Sequence, residues 1–253
     1  MKISVQLYSL RDVGDFDAQL ALARECGFEW VETVALHELS PTAFAEKVAW
    51  HGLRVSSMHV SLAALEALDA GPVAVIEACR LTQCPLVVMP FLPMGERPAD
   101  AAAWRAMGRR LAGLGEQLAA AGLRLAYHNH DFEFLHYEGR PALDWLFEQA
   151  APSQLGWEAD LGWVCRSGAD PWHWLQRLGD RLAAVHAKDV AAAGQAIAED
   201  GWAALGQGVL PWDRLLPHLA SRTDLIVFEH DMPRDAKAIL QVSRAFLARH
   251  AGH

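Results

Sequence analysis

Short apolar runs recur along the chain, and four of them stop abruptly in polar, metal-capable side chains. The clearest is LRLAYHNHDFEF at residues 123–134. Leu123, Leu125, Ala126 and Tyr127 give way there to His128, Asn129, His130 and Asp131, with Glu133 between two phenylalanines. The period-2 alternation of a strand puts Ala126, His128 and His130 on one face and Tyr127 and Asn129 on the other. GWEADLGW around Asp160, AAVHAKD around His186 and LIVFEHD around Glu229 repeat the pattern. Polar endings of this kind mark the C-terminal ends of inner barrel strands, where a shared site forms.

The rest of the chain supplies the missing elements. Further strands are predicted over residues 3–8, with Gln6 and Tyr8 near the end, 28–33, ending near Glu32, 53–60, with His59 near the exit, and 85–89. The later strands cover 155–159, 182–186 and 225–228. Asp15 caps a helix that runs to Cys26, where Gly27 stops it, and Ser40 before Pro41 opens a second helix. Residues 62–79 read as helical with an interruption at Gly71-Pro72, because proline lacks an N–H donor and clashes with the preceding turn. Helices are also expected over 100–121, 141–150, 171–178 (capped by Asp170), 211–219 and 235–250, with a loop over 189–209. Eight strands alternating with helices, and no long polar linker, predict one (β/α)8 barrel domain over residues 1–253. An open doubly wound sheet would need a glycine-rich turn after strand one, and residues 9–16 contain only Gly14.

Composition narrows the functional classes. At 253 residues the chain has the size of such a barrel, and its net charge of -9 argues against a nucleic-acid surface. No run reaches the apolar length of a membrane span, and the N-terminal stretch lacks the apolar core of a signal peptide. Cys26, Cys79, Cys84 and Cys165 show no CxxC spacing and read as free thiols of a reducing cytoplasm. No nucleic-acid or membrane partner is expected. Exposed tryptophans among Trp104, Trp145, Trp172, Trp174 and Trp212 would mark a homo-oligomer interface.

Barrel closure would bring Glu133, Asp160, His186 and Glu229 together. Three carboxylates and one imidazole favour one hard or borderline divalent ion, Mn2+ or Mg2+. His128 and His130 face inward by alternation, whereas Glu133 lies past the strand and depends on the loop path. Glu133 is expected to complete the shell, leaving His128 and His130, with His59 and Trp163, as substrate contacts. Lys188 faces the same way as His186 and is expected to hold a substrate oxygen or stabilise developing charge. Glu229 is the expected base, with Glu133 or Glu158 opposite it, and Asp189 or a backbone carbonyl is expected behind His186. Gly206-Gln207-Gly208 reads as a tight turn before Pro211 rather than a phosphate cradle.

VQLYSLRD at 5–12, YHNHDFEF at 127–134, HAKD at 186–189, LGQG before Pro211-Trp212, and FEHD at 228–231 span nearly the whole chain. On these motifs it resembles the xylose-isomerase-like TIM barrel superfamily, in its sugar phosphate isomerase/epimerase-like branch, which is related to inosose dehydratases. The resemblance implies a divalent metal held by strands five to eight, with Asp160, His186 and Glu229 at three ligand positions. The family's strand-five ligand is commonly a glutamate, and His128 stands nearest that place here. The expected activity is a metal-dependent isomerase or epimerase of a small keto-sugar or polyol. An inosose-type dehydratase using the same metal site, or a non-catalytic sugar-binding barrel, are the alternatives.

Overall fold

The structure, a computed structural model, describes residues 1–67 and 71–250. Eight parallel strands close into a barrel: β1 (Lys2–Gln6), β2 (Trp30–Val34), β3 (Arg54–His59), β4 (Leu86–Met89), β5 (Arg124–His128), β6 (Gly156–Asp160), β7 (Leu182–Ala187) and β8 (Leu225–Phe228). Their order around the barrel follows the sequence, and β8 pairs with β1 through Lys2–Leu225 to Val5–Phe228. The helices that follow them are α1 (Phe16–Glu25), α2 (Pro41–Trp50), α3 (Gly71–Thr82), α4 (Ala101–Ala120), α5 (Ala142–Phe147), α6 (Pro171–Leu178), α7 (Trp212–Leu219) and α8 (Ala236–His250). The expected caps are in place. Asp15 accepts from Ala18 N, Ser40 from Ala43 N and Asp170 from Trp172 N, and Asp100 adds a further cap by accepting from Ala103 N.

Strand alternation sorts the core into two compartments. Ala126, Ala184 and Val227, each two residues before a polar strand end, join Leu86, Val88 and Leu225 in a small apolar plug inside the barrel. Their neighbours Tyr127, Val185 and Phe228 belong instead to the large core between strands and helices. The plug closes the N-terminal end of the interior, so the polar residues two positions later stack above it.

The helical stretch expected to be interrupted at Gly71-Pro72 is two helices, Leu62–Glu66 and α3, the second starting at Gly71; residues 68–70 lie outside the described residues. Three local expectations change. Strand five stops at His128, and Phe132–Phe134 forms a 3-10 turn. A short helix, Leu161–Arg166, follows β6 directly because Asp160 accepts from Trp163 N and starts it. The expected loop over 189–209 contains an antiparallel ribbon of Asp189–Val190 with Trp202–Ala203.

Candidate metal centre

The strand ends carry two layers of buried polar side chains. In the front layer, nearer the mouth, single ligand atoms of His128, Asp160, His186 and Glu229 all lie within 4.8 Å of one another. His186 Nδ1 is 3.1 Å from Glu229 Oε2 and 3.9 Å from Asp160 Oδ2, and His128 Nε2 is 3.8 Å from the same Asp160 oxygen. Lys188 Nζ donates to Glu229 Oε2 at 3.1 Å and to Asp231, and lies 3.8 Å from Asp160 Oδ2. Its backbone is held close to the helix after β6, where a Cβ on Gly162 would sit 2.8 Å from Lys188 O.

Behind this layer, Glu32, His59 and Glu158 fill the barrel. Glu158 Oε2 meets His59 Nε2 at 2.8 Å, His128 Nδ1 at 3.2 Å and His186 Nε2 at 3.2 Å. Glu32 Oε1 contacts His186 Nε2 at 2.6 Å and His59 Nε2 at 2.9 Å. Gln6, oriented by the Tyr8 N–H that its Oε1 accepts, donates to Glu32 and lies 3.1 Å from His59 Nδ1. Each imidazole of the front quartet is thus backed by a carboxylate on its other nitrogen, the arrangement that orients metal-binding histidines.

Burial and charge set the protonation of these groups. Burial pushes Asp160 up to about 7, against the pull of Lys188 and His186. Burial likewise disfavours ionised Glu229, but Lys188 and His186 overcome it and hold that carboxyl below its ordinary range. Burial opposes a charged His186, yet Glu158, Glu32 and Glu229 raise it well above the usual imidazole value. Without carboxylates strong enough to offset burial, and with His186 close by, His128 is lowered well below it. Burial would lower Lys188 too, and Glu229, Asp231 and Asp160 raise it instead.

The residues singled out from sequence fall into three groups. Asp160, His186, Glu229 and Lys188 come together in front, and Glu158 and His59 stand behind them. His130 and Trp163 wall the mouth, with ring centroids 5.2 Å apart, and Lys188 Nζ lies 5.0 Å from the Trp163 ring centre. Glu133 does not join the quartet, and His128 stands in its place. The strand ends too early for Glu133 to reach inward. The 3-10 turn folds its carboxylate back, where it accepts from Tyr127 OH at 2.6 Å and from His130 N at 2.8 Å. Asp189 is not behind His186 either. It accepts the backbone N–H groups of Val190, Gly206, Gly208 and Leu210, and Glu32 takes the expected place.

Sequence reasoning left Asn129 and Asp231 without a role. Asn129 Oδ1 accepts from Trp157 Nε1 and from Asp160 N, and its amide donates to Asp160 O, so it fixes the β6 end on both sides. Its place on the outward face of β5, beside a strand of the same site, was the available signal. Asp231 lies two residues after Glu229, the same spacing that linked Lys188 to His186.

The chemistry of the quartet fits a divalent cation. Two imidazoles and two carboxylates converge, and Asp160 Oδ2 is buried with no hydrogen-bond partner among the described residues. A buried oxygen left without a donor is an acceptor that a cation would satisfy.

Comparison with solved structures returns the same barrel. A sugar phosphate isomerase/epimerase from Parabacteroides distasonis is 18% identical, with 99% of this chain and 94% of that one covered and a TM-score of 0.80. The IOLI protein with a bound zinc atom is 15% identical, covers 99% and 98%, and has a TM-score of 0.74. The probable 3-DHS dehydratase AsbF from Bacillus anthracis is 17% identical, covers 98% and 99%, and has a TM-score of 0.73. At these identities the likeness is one of fold. Comparison with curated protein sequences found no match. The family model of xylose isomerase-like TIM barrels matches residues 20–250, and the chain belongs to that family.

Proposed function

We propose that the protein is a divalent-metal-dependent isomerase or epimerase of a small neutral keto-sugar or polyol. The observation that carries this is the convergence of His128, Asp160, His186 and Glu229 at one mouth, with Lys188 paired to Glu229 beside it. Those four residues would hold the ion, with Mn2+ or Mg2+ the expected occupants. When bound, it would supply Lewis-acid stabilisation of charge on a substrate carbonyl and the neighbouring hydroxyl.

The chain's own groups would move the proton. Glu229, kept ionised, takes the proton next to the carbonyl. Lys188 Nζ stabilises the negative charge that develops on the substrate oxygen, and links Glu229 to Asp231, whose side chain is 20% exposed to solvent. On the other side of the mouth His130 is kept neutral by burial and Lys188, which depress it to about 3, and its Nδ1 has no partner among the described residues. A neutral ring carries one N–H, which would hold a substrate oxygen there. Trp163 and Phe91, which packs edge-on against His130, wall the apolar face of a sugar ring.

A neutral substrate follows from how the nearby donors are used. The N–H groups of Gly206, Gly208 and Leu210 go to Asp189, that of Gln207 to Ala204 O, and that of Val209 to Val190 O. Arg166 is paired with Asp200, Arg11 donates to Tyr8 O, and Lys188 is held by two carboxylates. A phosphate is best held by several free charges or amides, and the engagement of these donors within the protein supports a neutral substrate.

Dehydration is the second reading. Lys188, a proton donor 3.1 Å from the base, suits the expulsion of a β-hydroxyl after the same proton abstraction. Incubation of the Mn2+-loaded protein with free and phosphorylated ketoses in D2O tests the set. Deuterium at the α-carbon without water loss is the expected result. A new ultraviolet-absorbing enone would replace isomerisation with dehydration, and no exchange with any ketose would reject both. A kcat/KM about tenfold higher for a phosphorylated member, equal to about 1.4 kcal/mol of transition-state binding, would reject the neutral substrate.

A further inference from the structure

The two buried layers contain two quartets of metal-capable groups, and they share two imidazoles. The rear quartet is His59, His128, Glu158 and His186, again with ligand atoms all within 4.8 Å of one another. We propose that this rear quartet is a second cation position, selective for a nitrogen-preferring ion such as Zn2+, and filled as an alternative to the front position.

Three observations carry the proposal. First, ring nitrogens from three different strands converge on a single oxygen, Glu158 Oε2, at 2.8 to 3.2 Å. Second, the rear layer has unused acceptors. Glu158 Oε1 and Glu32 Oε2 have no hydrogen-bond partner among the described residues, and both side chains are fully buried. Buried oxygens of this kind call for a further partner, and a cation flanked by three imidazoles is one that would complete them. Third, the two quartets use opposite nitrogens of the same rings. His128 turns Nδ1 to the rear and Nε2 to the front, while His186 turns Nε2 to the rear and Nδ1 to the front.

The shared rings decide how the positions are used. Filling both at once would require two imidazoles, each stripped of both ring protons and bridging two cations. A single ion in one position or the other avoids this. The donor sets then divide the ions: three imidazoles and one carboxylate in the rear suit Zn2+, whereas two imidazoles and two carboxylates in front suit Mn2+ better. Zn2+ in the rear would draw the shared rings away from the front and exclude Mn2+ from the position assigned to chemistry.

The unique members of each quartet separate the two ideas. His59 belongs only to the rear, and Asp160 and Glu229 only to the front. Metal-stripped full-length protein is titrated with Zn2+ alone and with Mn2+ alone, against a competing chelator, as wild type, His59→Gln, His59→Asn and Asp160→Asn. One ion per chain is expected. Either His59 variant should weaken Zn2+ at least about tenfold and change Mn2+ less than about threefold, and Asp160→Asn should do the reverse. The proposal falls if Zn2+ binding follows Asp160 and ignores His59, if both His59 variants weaken both ions alike, or if two Zn2+ ions bind per chain. Thermal unfolding of the metal-free variants identifies one that does not fold, and the other His59 variant then decides. Mn2+ binding that ignores Asp160→Asn would overturn the front reading alone, because the Zn2+ comparison does not use it.

Discussion

Glu133 and Asp160 are two buried carboxyls with the same titration and opposite surroundings. Burial lifts each of them to about 7. Glu133 has both oxygens satisfied, one by Tyr127 OH and one by His130 N, so the protein itself completes it. Asp160 spends Oδ1 on Trp163 N and leaves Oδ2 without a partner among the described residues. Burial and perturbed ionisation therefore fail to distinguish a structural carboxyl from a candidate ligand. Hydrogen-bond accounting does distinguish them, because a completed group has nothing left to offer a cation.

Breaking the comparison at its functional end should have the largest effect. Asp160→Asn is expected to reduce Mn2+ affinity about a thousandfold, more than the 10- to 100-fold that loss of an orienting partner costs. Glu133→Gln should change it less than about threefold. Chelator competition reads both, and equal losses would show that the two carboxyls do the same work.

The next effect is on stability against pH. Glu133 ionises near its ordinary 4.5 when unfolded and near 7 when folded, so between those values the folded chain holds a proton that the unfolded chain has released. Its contribution is fully present below about 4.5 and is lost as pH rises through about 7, on the order of 3 kcal/mol in all. Denaturant unfolding of metal-free protein should show stability falling across that window, and Glu133→Gln should flatten the fall. An unchanged slope in the variant would mean that Glu133 is ionised throughout.

The smallest effect tests the donors around Glu133. Replacing Tyr127 with Phe removes one of them and is expected to destabilise the fold by about 1 to 3 kcal/mol while leaving Mn2+ affinity unchanged. A drop in affinity would tie this strand end to the metal centre after all.

The barrel was legible because its signals are local. Alternation placed Ala126 and His128 on the inner face, and cap residues such as Asp15 and Ser40 opened helices where expected. Asp160, His186 and Glu229 were legible as strand ends for the same reason. The fate of Glu133 was not, because it depends on where β5 stops and on a 3-10 turn whose direction no periodicity encodes. Glu32 and His59 were visible as strand ends on β2 and β3, but their contacts with His186 and Glu158 exist only once the barrel has closed. Asp189 illustrates the same limit: three of its four partners lie 17 to 21 residues later, in a loop whose path the aspartate itself determines.

Asp160 also links the interior of the barrel to its rim. One oxygen starts the helix that carries Trp163, and the other faces the cation quartet. The Trp163 ring in turn packs against His130 and lies under the Lys188 ammonium. Any pull on Oδ2 is therefore felt by the first turn of that helix through a single rigid carboxylate plane. Were a cation to occupy the quartet, tryptophan fluorescence at the mouth would be expected to change with it.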